Sequence, residues 1–209
     1  MNRRAMTCRK LSHKIPLLFA AALLASCGGN PSPTPESQAP LHGSSIGGPF
    51  TLADSAGRTV RWSDFDGKYR IVYFGYTWCP DVCPTDVARI IRGYNRFKQA
   101  EPKLATQIVP IFISVDPERD TPAKVGEFAH AFSDDLVGLT GTPAQVKAAA
   151  DAFKVYYQKE KPDKDGNYFV NHSTNAYLMG RMGEPIALLP DDVDDKGQAI
   201  AAELKKWIG

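Results

Sequence analysis

The chain has 209 residues, 43% of them apolar and 23% charged, a composition that supports a buried core and excludes global disorder. The length suits one domain plus an extension. The formal net charge of +2 comes from a basic N-terminus rather than from a basic face, so nothing points to nucleic-acid binding.

Arg3, Arg4, Arg9, Lys10 and Lys14 form a basic leader with no acidic residue, followed by the apolar run Ile15–Leu24. That run is about half the ~20 residues needed to span a bilayer, so it reads as the core of a signal peptide over residues 1–26. Leu24-Ala25-Ser26-Cys27 resembles a bacterial lipobox, which implies lipidation of Cys27 and a domain tethered to a membrane in the bacterial cell envelope, facing the periplasm. Removal of the five basic residues leaves 20 Lys and Arg against 23 Asp and Glu, a mature net charge of −3. Residues 27–47 are rich in Gly, Pro and Ser and read as a flexible tether.

The folded domain is expected over residues 48–209. Phe50–Leu52 and Thr59–Trp62 flank a turn and predict an N-terminal β-hairpin. Arg70–Tyr76 predicts a buried strand. Val87, Ile90, Ile91, Tyr94 and Phe97 recur at helical spacing, so Pro84 to about Ala100 predicts a helix with Cys83 at its N-cap, Pro84 at N1 and Asp86 at N3. Ile108–Val115 is a second buried strand, with Pro110 at an expected irregularity. Thr121-Pro122 and Thr142-Pro143 each cap a helix, running to about Phe132 and Phe153. A short strand is expected between them at Leu136–Thr140, and Val155–Tyr157 reads as extended. Tyr168–Val170, Asn175–Met179 and Pro185–Leu189 are β-prone, and a last helix follows from Asp194 or Asp195 to about Trp207. This order predicts an α/β fold of thioredoxin-like type, a central mixed sheet flanked by helices. It puts the cysteine loop and the Asp116 loop at the carboxyl edge of the sheet, where open α/β folds bind ligands.

Cys79 and Cys83, three residues apart at a strand-to-helix junction, are the only cysteines in the domain. A helix N-terminus favours a thiolate, and two such sulfurs make a soft site for a metal ion or a redox disulfide. A purely structural bridge over so short a loop would stabilise little. A third ligand is sought among His130, His172, Met179 and Met182. His130 lies within a helix, Met179 reads as core, and Met182 sits in a turn. His172 stands in a loop between β-prone segments, either as a ligand or as a satisfied loop histidine. Two sulfurs and an imidazole would suit three-coordinate Cu(I), whereas structural zinc takes four ligands. Asp116, Arg119 and Asp120 read either as turn and cap residues or as a charged docking surface or a supporting layer of residues beside the site, and Asn171 is a further candidate for that last role.

Three motifs taken together, Phe74-Gly75-Tyr76-Thr77-Trp78-Cys79-Pro80-Asp81-Val82-Cys83-Pro84, Val115-Asp116-Pro117-Glu118-Arg119-Asp120-Thr121-Pro122 and Asn171-His172-Ser173, resemble the Sco/SenC family of copper chaperones. The resemblance implies a thioredoxin-like domain that binds copper, as Cu(I) and also Cu(II), through Cys79, Cys83 and His172. It also implies maturation of the binuclear copper centre of cytochrome c oxidase subunit II, served by a periplasmic copper donor and a thioredoxin-like reductant. Reduction of the target's cysteines by the Cys79–Cys83 pair is the alternative activity. Asn171 departs from the family's usual Asp, which removes a charge that would otherwise help to orient the imidazole.

Overall fold

The long apolar run of the sequence becomes the middle of a five-stranded sheet. In this computed structural model, which describes residues 36–191 and 196–209, strand β3 (Tyr69–Gly75) is buried along almost its whole length. Ile71, Val72, Tyr73 and Phe74 have no solvent face, as expected for a strand covered on both sides. It pairs in parallel with β4 (Ile108–Ser114) and antiparallel with β8 (Ala176–Met179). β5 (Val137–Leu139) adds to β4, and β9 (Pro185–Leu188) adds to β8, giving the order β5-β4-β3-β8-β9. This is the mixed, thioredoxin-like sheet expected from the element order. Pairing of β3 with β4 runs unbroken past Pro110, so the expected irregularity is absent there.

The predicted hairpin forms as β1 (Thr51–Ala53) and β2 (Thr59–Arg61), and a bridge from Ala53 to Thr140 joins it to the end of β5. Helix α1 (Val82–Ala100) follows β3, and the unpredicted four-residue α2 (Pro102–Ala105) follows α1. α3 (Pro122–Phe132) and α4 (Pro143–Ala152) start where the Thr-Pro pairs place them. The Thr121 hydroxyl accepts from the Lys124 N–H, and Thr142 and Gln145 form a reciprocal capping box. β6 (Tyr157–Lys159) and β7 (Val170–His172) form a separate two-stranded ribbon. His172 therefore sits at the end of a short strand rather than in a loop. Helix α5 (Gln198–Ile208) packs against α1 at Gly93, where a Cβ would stand 2.4 Å from Ile200. The expected start of this helix at Asp194 or Asp195 lies outside the described residues.

The tether expectation changes over its second half. Residues 36–47, assigned to it by composition, begin with a 3-10 turn at Glu36–Gln38 and then bond to the domain: the Leu41 N–H donates to the Ile186 carbonyl, and the Gly47 N–H to Ala152. Ala39 is buried. The signal segment, the lipobox and Cys27 lie outside the described residues. Among the described residues no helix is long and apolar enough to cross a membrane.

β3 and β4 run parallel, so the loops that leave them emerge at one edge, tied by the bond from the Val115 N–H to the Gly75 carbonyl. β8 runs the other way and pairs Ala176 with Tyr73, so the chain entering it, from His172 to Asn175, arrives at that same edge. Sheet topology alone thus gathers three segments distant in sequence.

Candidate metal centre

Cys79, Cys83 and His172 converge at this edge, with their ligand atoms all within 4.8 Å of one another. Cys83 is fully buried, while Cys79 and His172 are partly exposed. Both cysteines are free thiols. The Cys83 Sγ lies 3.2 Å from the His172 Nε2. On the other side of the ring, Nδ1 lies 2.9 Å from the Ser173 carbonyl oxygen. A carbonyl only accepts, so Nδ1 carries the proton and Nε2 turns its lone pair toward the sulfurs. Tyr73 and Tyr76 stand edge-on to the imidazole, at 6.3 and 5.8 Å between ring centres, and fix its plane. Burial pushes the His172 pKa down, against the Ser173 carbonyl and the Asp86 carboxylate, which favour the charged ring. The neutral imidazole is the form that ligates metal.

Helix α1 starts two residues earlier than predicted, with Asp81 as its N-cap and Cys83 at the second helical position. Pro84 is then third, where a missing N–H costs no helical bond. The Cys83 N–H instead donates to the Cys79 sulfur at 3.3 Å, so a cysteine caps the helix. This corrects the expectation that the helix end favours a Cys83 thiolate. Burial pushes the Cys83 thiol well up, and the neighbouring Cys79 adds to it, against opposing hydrogen bonds from the Tyr76 backbone and the Tyr73 side chain. Burial likewise pushes the Tyr76 hydroxyl up, to about 12. A metal ion that replaces the two thiol protons would remove the charge penalty these groups feel.

Gly75 makes the approach possible. A Cβ there would stand 3.0 Å from Phe112 and Tyr73 and 3.1 Å from the Cys83 sulfur. Gly75→Ala is expected to destabilise the metal-free domain by about 1–3 kcal/mol, the usual cost of overpacking, read by chemical denaturation.

The Asp116 loop turns inward. Asp120, 1% exposed, accepts from the Thr77 N–H at 2.9 Å, the Thr77 hydroxyl at 2.6 Å and the Ser114 hydroxyl at 2.6 Å. Asp116, 3% exposed, accepts from Arg119 Nε at 2.5 Å and the Tyr168 hydroxyl at 2.9 Å. Arg119 stacks 3.6 Å from the Tyr168 ring centre and donates to the Tyr168 carbonyl. These residues do not form a charged docking face; they brace the cysteine loop and the segment that carries His172. Exposed apolar side chains near the site include Trp78 and Val82, on either side of Cys79 in the chain. Asn171 is exposed and donates to Glu160 at 2.8 Å, and the Ser173 carbonyl, not residue 171, holds the imidazole. His130 is exposed and paired with Asp134, Met179 is core, and Met182 is exposed, so none of them joins the site. The sequence did not single out Tyr73, Ser114 or the Ser173 carbonyl. The alternation of β3, which sets Tyr73 on one face with Gly75, was the available signal for the first.

Residues 38–209 match the SCO1/SenC family model. The chain belongs to the SCO1/SenC family. It is 41% identical over 164 residues to the mitochondrial SCO1 homolog 1 of Arabidopsis thaliana, a match covering 78% of this chain and 48% of that protein. It is 44% identical over 134 residues to Protein SenC of Rhodobacter capsulatus, covering 64% of this chain and 58% of that one. The match thus spans about half the length of these relatives. The structure of Bradyrhizobium japonicum ScoI with copper bound superposes with a TM-score of 0.69 at 38% identity, covering 78% of this chain and 99% of that one. Membership of this family and the shared fold agree with the resemblance carried by the three motifs.

Proposed function

We propose that Cys79, Cys83 and His172 bind one copper ion, chiefly Cu(I) and also Cu(II), and that the protein carries it to the binuclear copper centre of cytochrome c oxidase subunit II. The single observation behind this reading is the Cys-Cys-His cluster, with a neutral imidazole already facing two reduced sulfurs. Two soft thiolates and an imidazole match the ligand preference of Cu(I) at low coordination number. A related ScoI of the same fold has been solved with copper bound, which supports the choice of metal. Half-exposed Cys79 gives an acceptor's ligand a route of entry, so transfer would proceed by stepwise ligand exchange. A periplasmic donor would load the site, and a thioredoxin-like reductant would keep the cysteines reduced. Lipidation at Cys27 would hold the domain at a bacterial envelope membrane, and intact-mass analysis of the mature chain without a lipid adduct would contradict that part.

In a competition titration with a Cu(I) chelator, reduced protein is expected to take up one copper per chain. His172→Ala should weaken uptake by more than the about 10–100-fold typical of losing an outer-shell partner, since a direct ligand is gone. Wild-type affinity in His172→Ala would sink the three-ligand model.

The Cys79 thiol, half-exposed at a helix end and touched by the Cys83 N–H, also favours a second reading as a thiol–disulfide oxidoreductase that reduces the target's cysteines. Disulfide-reductase turnover by metal-free protein, unchanged in His172→Ala, would favour that reading over copper delivery.

A further inference from the structure

Exposed apolar side chains gather around the metal centre. Among the described residues six large ones are exposed, and four of them, Trp78, Val82, Tyr156 and Phe169, stand beside the segments that carry the candidate ligands. Trp78 and Val82 immediately precede Cys79 and Cys83. Tyr156 exchanges hydrogen bonds with Ser173, next to His172, and Phe169 lies one residue before β7. Trp78 and Phe169, 54% and 56% exposed, line one open cleft of about 380 Å³ together with Tyr168, Arg119 and Lys161. An apolar patch rimmed by polar residues marks a site of contact.

The charges around the cleft are unevenly satisfied. Glu160 accepts from Asn171, and Asp163 accepts from the N–H groups of Asp165 and Asn167 and from the Asn167 amide. Arg119 is held by Asp116, and Lys159 by Glu118. Lys161, and Lys124 with its ammonium 5.2 Å from the Trp78 ring centre, have no carboxylate partner among the described residues. The rim thus leaves two cations without an ion pair, while its acids are engaged by neighbours.

We propose that this cleft docks the protein with which the metal centre exchanges copper, and that it takes a loop whose cysteine ligand is flanked by an apolar side chain and a carboxylate. This rests on the copper-delivery reading above. The apolar side chain fills the space between Trp78 and Phe169, and the carboxylate pairs with Lys161 or Lys124. Half-exposed Cys79 follows Trp78 in the chain, so a loop seated there brings its own sulfur to the copper. The exchange is balanced: a partner sulfur bonds to Cu(I) as the Cys79 sulfur lets go, the proton lost by the partner's thiol is matched by the one Cys79 takes up, and no electron moves. Three half-exposed aromatic side chains offer about 300 Å² of apolar surface. That is well under the roughly 800 Å² per partner of a stable interface, so the contact suits a transient acceptor rather than a permanent second copy. Two unpaired lysines also fall short of the about 4–8 cations typical of a patch that binds anionic lipid.

The test follows Cu(I) transfer from the loaded full chain to an excess of synthetic dithiol peptides by stopped-flow fluorescence. Three peptides share the same two cysteines and differ in their flanks: leucine with glutamate, leucine with lysine, and serine with glutamate. The leucine–glutamate peptide is expected to take copper about tenfold faster than either of the others, the size of effect of one hot-spot side chain. Its advantage over the lysine peptide should fade at high salt. Phe169→Ser should remove the preference for leucine, and Lys124→Glu combined with Lys161→Glu should reverse the preference for glutamate over lysine, with Cu(I) affinity unchanged in both variants. Equal rates for the three peptides, zero included, or preferences that survive these variants, would overturn the inference. So would a Phe169-dependent dimer in sedimentation, or Phe169-dependent binding to phosphatidylglycerol vesicles, each of which gives the cleft to another occupant. Absence of copper uptake by the wild type would instead overturn the copper-binding reading itself.

Discussion

Replacing Cys83 with serine is expected to abolish stoichiometric copper binding. The Cys83 sulfur is the centre of the cluster: it touches His172 Nε2 at 3.2 Å, and its backbone N–H reaches the Cys79 sulfur at 3.3 Å. A serine hydroxyl is a hard, weakly acidic oxygen and a poor ligand for a soft ion. A loss of Cu(I) affinity of about a thousandfold or more is expected, equivalent to about 4 kcal/mol. The side chain is small and its site lies against Tyr73 and Gly75, so the domain should remain folded. Anaerobic titration against a Cu(I) chelator, with circular dichroism of the same sample, separates loss of the site from loss of the fold. A serine variant that still bound one copper at wild-type affinity would remove Cys83 from the ligand set.

The second large effect concerns Asp120, which coordinates nothing in the cluster yet holds the loop that does. Its carboxylate takes the Thr77 N–H, the Thr77 hydroxyl and the Ser114 hydroxyl in a buried environment. Asp120→Ala would leave these donors without their acceptor, at about 1–3 kcal/mol for each group that stays unsatisfied. Water entering the space would recover part of this, so a net destabilisation of about 3–5 kcal/mol is expected. Asp120→Asn should cost much less, because its amide oxygen can keep the Thr77 N–H and Ser114 bonds while the Thr77 hydroxyl turns to accept from the amide N–H. Urea unfolding of the two metal-free variants checks the order. Equal stability of Asp120→Ala and wild type would mean that the inward-facing carboxylate does not brace the cysteine loop.

Local chemistry made much of the fold readable. The apolar runs over Ile71–Phe74 and Ile111–Ile113 belong to strands buried on both faces, and the two Thr-Pro pairs start helices because Thr caps and Pro fits the first turn. Nothing local marked the early start of α1: the Cys79 sulfur supplies the bond that the helix end lacks, and that contact exists only once the loop is closed. Asp116 and Asp120 looked like surface charges because Asp-Pro-Glu-Arg-Asp is turn composition. Their partners, Tyr168 and Thr77, lie 52 and 43 residues away. Residues 36–47 looked like linker because their composition cannot build a core of its own, yet backbone bonds to Ile186 and Ala152 fasten them to one that already exists. Of the candidate centre, the residue types were legible and the arrangement was not. The orientation of His172 depends on the Ser173 carbonyl, on Tyr73 of β3 and on Tyr76 just beyond its end, a geometry set by strand pairing rather than by spacing.

Copper K-edge X-ray absorption of the reduced, Cu(I)-loaded protein, compared with His172→Ala, tests the central claim most directly. The account predicts two sulfur ligands and one nitrogen in the wild type and loss of the nitrogen in the variant. A wild-type spectrum with two sulfurs and no nitrogen, or one unchanged by His172→Ala, would contradict it.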